Sequence, residues 1–265
     1  MKSLLSRFIK RDRVAEVALA APEVLAYSSS IEPDQPFTAI GDVHGRQDLL
    51  SALVGKLEQE APGQPLILVG DFVDRGPESA EVLSYVKSLH DSRAQTIVLK
   101  GNYEQMLLDF IDDPAGRGLR WIDFGGRETM LSFGVEAPGP KPDLEDITEA
   151  ALELETKIGK ELVVWIRDLP TRWRTGNVIC VHAALDPARK PEDQSDRSVL
   201  WGHADFFTKT RQDGLWVLHG HTIFAEAHAH SGRIACDTGA YQTGKLTAAL
   251  VGQGSAERAV RFLTT

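Results

Sequence analysis

The sequence predicts an α/β protein with parallel βαβ units in its first half, a helical insertion in the middle and mostly antiparallel strands towards its end. Three observations carry this. Between residues 37 and 111 the chain cycles through an apolar run, a polar turn and an amphipathic stretch, the alternation that lays helices on the faces of a parallel sheet. Residues 112–141 break the cycle with Gly, Pro and Trp, and helical spacing follows them. From residue 177 short apolar runs return, with little helical pattern between 225 and 265.

In order, residues 1–36 read as an extension and linker. MKSLLSRFIKRDR sets Lys2, Arg7, Lys10, Arg11 and Arg13 against Asp12, with Leu4, Leu5, Phe8 and Ile9 on one helical face. It lacks the apolar core and cleavage pattern of a secretory signal. The expectation is a basic surface helix or frayed tail, available to a partner or a membrane surface. YSSSIEPDQP (27–36), with three serines and two prolines, reads as the linker.

The domain proper spans 37–265. FTAIGD (37–42) is a buried strand, followed by Leu49, Leu50, Leu53, Val54 and Leu57 at helical spacing. LILVGD (66–71) is the second strand; Pro77 can open the next helix without losing a bond, and Val82, Leu83 and Val86 lie along it. TIVLKGN (96–102) precedes a helix through Met106, Leu107 and Phe110. The insertion, about 112–172, is read as a helical cap. In it Leu144, Ile147, Ala151, Leu154, Ile158 and Leu162 form one helical face, with Glu145, Asp146, Glu149, Glu153 and Glu155 on the solvated side. The closing strands are NVICVHA (177–183), LWVLHGH (215–221), RIACDTG (233–239), KLTAALV (245–251) and RAVRFLTT (258–265).

Composition narrows the function. The 265 residues are 42% hydrophobic and 25% charged, a globular balance, and the net charge of −9 disfavours a general nucleic-acid binder. An anionic substrate must be met by local arginines or metal, against the global field. Cys180 and Cys236 lie in apolar runs and read as small buried residues of a reducing compartment, hence a cytoplasmic expectation. No apolar run approaches the roughly 20 residues of a membrane span.

The strand ends carry the chemistry. They read Asp42-Val43-His44, Asp71, Asn102, His182 and His219-Gly220-His221. Ligands of open α/β sheets gather at that edge, and Asp42 and His44, two apart, point the same way. Gathering buried carboxylates and imidazoles is costly without compensating charge, which two divalent cations would provide. Carboxylate, amide and imidazole without thiolate suit manganese, with iron or zinc as alternatives. A two-metal site suits phosphoester hydrolysis, and the planar fork of Arg75, just past Asp71 and Asp74, suits the phosphate. Arg46, Arg120 and Arg127 are further candidates. His228 and His230 read as an exposed loop, His90 as a helix-end dipole partner, and Trp121, Trp165 and Trp173 as packing.

GDVHGR (41–46), GDFVDRG (70–76), GNYE (101–104), VHAAL (181–185) and HGHT (219–222) together resemble the signature blocks of the metallophosphoesterases, closest to bacterial and phage serine/threonine phosphoprotein phosphatases. That branch also contains diadenosine polyphosphate hydrolases. GGRET and DTGAYQTGKLTAA are similar too, and the likeness spans about 37–252. The resemblance implies a four-layer α/β/β/α sandwich with the helical cap inserted. It implies one metal on Asp42, His44 and Asp71 and another on Asp71, Asn102, His182 and His221, with His219 behind them and Arg75 as phosphate clamp.

Two departures stand out. The family carries histidine after the metal-binding asparagine, a general acid oriented by the aspartate found here as Asp74; this chain has Tyr103. An arginine expected after Leu200-Trp201 is replaced by Gly202-His203, and His203 is a candidate replacement proton donor. The leading expectation is a phosphatase of phosphorylated proteins with an altered acid position. The alternatives are a hydrolase of nucleotide polyphosphates or another small phosphoester, and a metal-binding module that holds a phosphorylated partner.

Overall fold

A computed structural model describes residues 27–253 and 259–265. The basic stretch expected to form a surface helix lies outside the described residues.

β1 (Phe37–Ile40) leads into α1 (Gln47–Glu60), β2 (Leu66–Leu68) into α2 (Ser79–Ser92) and β3 (Thr96–Val98) into α3 (Asn102–Asp112). The insertion follows as α4 (Leu119–Trp121), α5 (Arg127–Ser132), α6 (Leu144–Ile158) and α7 (Lys160–Asp168), with π-helical turns at Pro114–Gly118 and Ile122–Gly126. Then come β4 (Arg172–Thr175), β5 (Val178–Val181), α8 (Asp196–Trp201), β6 (Trp216–His219), β7 (His228–His230), β8 (Arg233–Ala235), α9 (Ala240–Thr243), β9 (Thr247–Val251) and β10 (Val260–Thr264).

Two five-stranded sheets result, ordered β10-β9-β1-β2-β3 and β4-β5-β6-β8-β7. Their alternating side chains define four layers. Phe37 and Ala39 of β1 face inward and share a core with Val178 and Cys180 of β5, Leu218 of β6 and Ile234 of β8. Ile40 and Leu68 face outward onto Leu50, Leu53, Val82 and Val86 of α1 and α2. Ile179 and Val181 point the other way, onto Val199 and Phe206. Each large apolar side chain so buried contributes about 1.5–3 kcal/mol. The insertion joins the outer helical layer: Trp121, Met130, Ile147, Leu154 and Ile166 belong to the same core as α1 and α2.

The parallel first half holds, with β1, β2 and β3 in parallel register. The second half departs from expectation. β5, β6 and β8 run parallel, and antiparallel pairing is confined to β4 and β7 at the edges of that sheet and to β9 and β10 in the other. The crossover from β5 to β6 carries a single 3-10 turn at Pro191–Asp193 and the six-residue α8, both too short to show helical periodicity. His228 and His230 lie on edge strand β7, not in a loop. The run Leu144–Leu162 is broken into α6 and α7 by Gly159, at φ 85°. Residues 27–36 are tied to the second sheet: Trp216 donates its indole N–H to the Ser29 carbonyl at 2.9 Å, and the Glu32 N–H meets the Asn177 amide oxygen at 2.7 Å.

Candidate metal centre

The ends of β1, β2, β3, β5 and β6 converge as the chemistry requires. Asp42, His44 and Asp71 offer ligand atoms within 4.8 Å of one another, and so do Asp71, His182 and His221. Asp71 is common to both groups. Its Oδ2 lies 3.7 Å from His44 Nε2 and 3.3 Å from His182 Nε2, and His182 Nε2 lies 2.9 Å from Asn102 Oδ1. All six expected ligands are therefore brought together.

The turns that present them are strained. His44, Asp71, Asp74, Arg75 and His221 have positive φ, between 47° and 71°, at roughly 1–3 kcal/mol each. Close backbone approach is required at two glycines. A Cβ on Gly101 would lie 2.2 Å from Asp71 Oδ1, and one on Gly220 would lie 2.0 Å from Asp42 Oδ1.

The donor set fits divalent cations. The His44 and His182 Nδ1 atoms lie 2.9 and 3.0 Å from the Val73 and Val69 carbonyls. Those contacts require N–H there, which leaves each Nε2 as a lone pair turned on Asp71. For His182 a lone pair, an amide oxygen and a carboxylate then face one another in a buried space, an arrangement that needs a cation or an added proton between them. Without metal, protonation takes that role: burial opposes the charged form of His182, yet Asp71 raises its pKa. Burial likewise works against the Asp71 carboxylate, but His182, His44 and His221 hold its pKa below the usual range. Burial lowers His44 and His221 to about 4, so both are neutral and able to ligate near pH 7.

Two carboxylates beside the ligands escaped the sequence reading. Glu104 is fully buried and accepts the backbone N–H groups of Asp71, Phe72, Val73 and Gly101 at 2.7–3.3 Å. It thereby fixes the turn that carries Asp71. Burial and the Asp71 charge push its carboxyl up to about 7, against the pull of those N–H groups. Asp237, at the end of β8, is raised to about 6 by burial. Burial and then Asp237 and Asp71 raise Asp42 well above the carboxylate range. The GNYE and DTG blocks held both residues, but a local pattern does not say which distant groups they meet.

Around Arg75 the arrangement differs from expectation. Arg75 donates Nε–H to the Tyr103 hydroxyl oxygen at 3.0 Å, a second N–H to the same oxygen, and another to Tyr241. Its guanidinium carbon lies 4.9 and 4.7 Å from the centroids of the two tyrosine rings. Burial pushes the Tyr103 phenol up to about 12. Asp74 is not directed at residue 103: its Oδ2 accepts the Trp121 indole N–H at 2.7 Å and its Oδ1 the Thr129 hydroxyl at 2.6 Å. Trp121 is thus both packing and a polar partner.

His203 belongs to neither ligand group, and its ring nitrogens lie 3.7 Å from Asp186 Oδ2 and 3.2 Å from the Asp205 N–H. His219 is boxed by Phe206, Phe207 and Phe224, and its Nε2 has no hydrogen-bond partner among the described residues. Arg46 is paired with Asp48 and the Ala240 carbonyl, and Arg127 donates to the Pro138 carbonyl. Arg120 stacks over Phe124. Among the described residues no helix is long and apolar enough to cross a membrane.

Known proteins resemble this chain in sequence and in fold. A symmetrical bis(5′-nucleosyl)-tetraphosphatase of Klebsiella pneumoniae subsp. pneumoniae is 49% identical over 150 residues, 56% of this chain and 43% of that protein. One of Neisseria meningitidis is 30% identical over 149 residues, with the same shares. The chain thus spans less than half the length of these curated relatives. Among solved structures, one provisionally described as a diadenosine tetraphosphatase superposes with a TM-score of 0.59 at 18% identity, covering 91% of this chain and 96% of that one. A cold-active protein-tyrosine phosphatase of a Shewanella species gives 0.54 at 19%, covering 91% and 86%. The pattern of the calcineurin-like phosphoesterases matches residues 35–247, which include all six ligands, β1–β3 and the whole second sheet, and the chain belongs to that family.

Proposed function

We propose that this protein is a dinuclear-metal phosphoric ester hydrolase that cleaves nucleotide polyphosphates, with a nucleotide as leaving group. Asp42, His44 and Asp71 would hold one cation and Asp71, Asn102, His182 and His221 the other, manganese first, iron or zinc as alternatives. Bound there, the cations would supply Lewis acidity to the phosphoryl oxygens and acidify the attacking water. Arg75, braced between Tyr103 and Tyr241, presents its remaining donor capacity to the transferred phosphoryl group.

One observation carries the choice of substrate. The carboxylate that should orient a general acid is occupied by Trp121 and Thr129, and the residue at the acid position is a phenol whose oxygen accepts from Arg75. The phenol keeps its own proton, but burial pushes its pKa up to about 12, which makes it a poor donor to a leaving oxygen near pH 7. A serine alkoxide needs that proton, and its absence costs on the order of 10²–10⁴-fold. A phosphate leaving group, with a second pKa of about 6, departs as a stable anion. The tetraphosphatase relatives support the same reading; a phosphorylated protein, the leading expectation from sequence, is the less favoured substrate.

The test is kcat/KM of the manganese-loaded protein on diadenosine tetraphosphate, an aryl phosphate and a phosphoserine peptide. The expected order puts the polyphosphate and the aryl ester well above the peptide. A peptide turned over as fast as the aryl ester would refute the leaving-group argument. Bound metal with no turnover of any of the three would make the chain a phosphate-binding module.

A further inference from the structure

Beside the metal centre lies a cavity of about 650 Å³, lined by Lys100, Gln105, Arg120, Asp196, Arg197 and Trp201 among others. Its walls neighbour the ligands in the chain. Lys100 and Gln105 flank Asn102, and the Val199 carbonyl of α8 accepts the Ala183 N–H, next to His182. Lys100 turns its Nζ onto the Arg167 carbonyl at 2.7 Å, so Arg120 and Arg197 are the cations set against Asp196, a locally positive lining on a chain of net charge −9. Trp201 is 43% exposed, an indole left uncovered at the rim. A second cavity, about 510 Å³, holds Arg75, Arg127, Tyr241 and Phe124, and the Arg120 guanidinium lies 5.3 Å from the Phe124 ring. The Arg120–Phe124 pair is therefore the ridge shared by both cavities.

We propose that the Trp201 cavity is a nucleotide-binding position, in which the indole stacks on the base and Arg120 and Arg197 meet the adjoining phosphate. A cavity of this size suits one nucleotide, and an exposed aromatic face beside arginines is what a base and its phosphate need. The inference rests on the nucleotide-polyphosphate reading and adds where one nucleoside end of such a substrate is held while its chain runs towards Arg75.

The experiment titrates manganese-loaded protein calorimetrically with AMP and with ribose 5-phosphate, which lacks the base. The wild type should prefer AMP. Trp201→Leu should weaken AMP by about tenfold or more and bring it level with ribose 5-phosphate, while Trp201→Phe should keep the preference. The proposal is overturned if Trp201→Leu binds AMP like wild type, if it weakens both ligands equally, or if Phe124→Leu removes the preference instead. Failure of the functional reading looks different: aryl phosphate turnover without turnover of diadenosine tetraphosphate, whatever Trp201 does to AMP.

Discussion

Asp74 carries two short hydrogen bonds, from Trp121 and Thr129, and these decide what Tyr103 can do. Restoring histidine at position 103 alone should leave alkyl phosphate turnover within about tenfold of wild type, because Asp74 is not available to orient the ring. Tyr103→His with Trp121→Phe frees one carboxylate oxygen and should recover a larger part of the 10²–10⁴-fold worth of a general acid. The check is kcat on an alkyl phosphate relative to an aryl one, and equal gains in single and double variants would contradict it. Asp71→Asn should lower metal content at both positions and turnover by at least about a hundredfold, read by elemental analysis and rate. The ligands were legible from sequence because each closely follows a strand within a contiguous motif. The Asp74–Trp121 bond was not: 47 residues separate the partners, and no local pattern says where a carboxylate's lone pairs go.

At the scale of elements, the centre is made by strand-end turns, not by the strands. Positive φ at His44, Asp71 and His221 aims each side chain back over the sheet edge, and Glu104 on α3 locks the Asp71 turn through four backbone N–H groups. Glu104→Gln keeps the shape but replaces two of those acceptor positions with an amide donor. It should cost about 2–4 kcal/mol of stability, seen as a lowered denaturation midpoint at unchanged m-value. Gly220→Ala drives a methyl into Asp42 and should reduce bound metal from about two ions to about one, sparing the Asp71–His182–His221 group; retention of both would mean the turn yields more easily than its packing implies. The strands themselves were readable from apolar runs. Their pairing in the second sheet was not, since the β5–β6 crossover carries one short α-helix and a 3-10 turn, and parallel connection leaves no periodic trace there.

For the molecule as a whole, the site is an electrostatic liability that a cation relieves. Asp42, Asp71, Glu104 and Asp237 are buried together between the two sheets and the loops above them, in a chain already at −9. Metal bound at about 1,000 times its Kd adds about 4 kcal/mol, so chelation should lower the melting temperature by about 10 °C for a chain of this size. A melting curve indifferent to chelator would mean that protons, not metal, balance these charges. The four layers were implied by the resemblance of five motifs, whereas the merging of the 112–172 helices with the α1–α2 core depends on long-range packing that composition does not report.

The most direct measurement is anomalous diffraction from crystals grown with manganese. The account predicts two peaks about 3.5–4 Å apart, both touching Asp71, one beside Asp42 and His44, the other beside Asn102, His182 and His221. A single peak, or two that do not share Asp71, would contradict it.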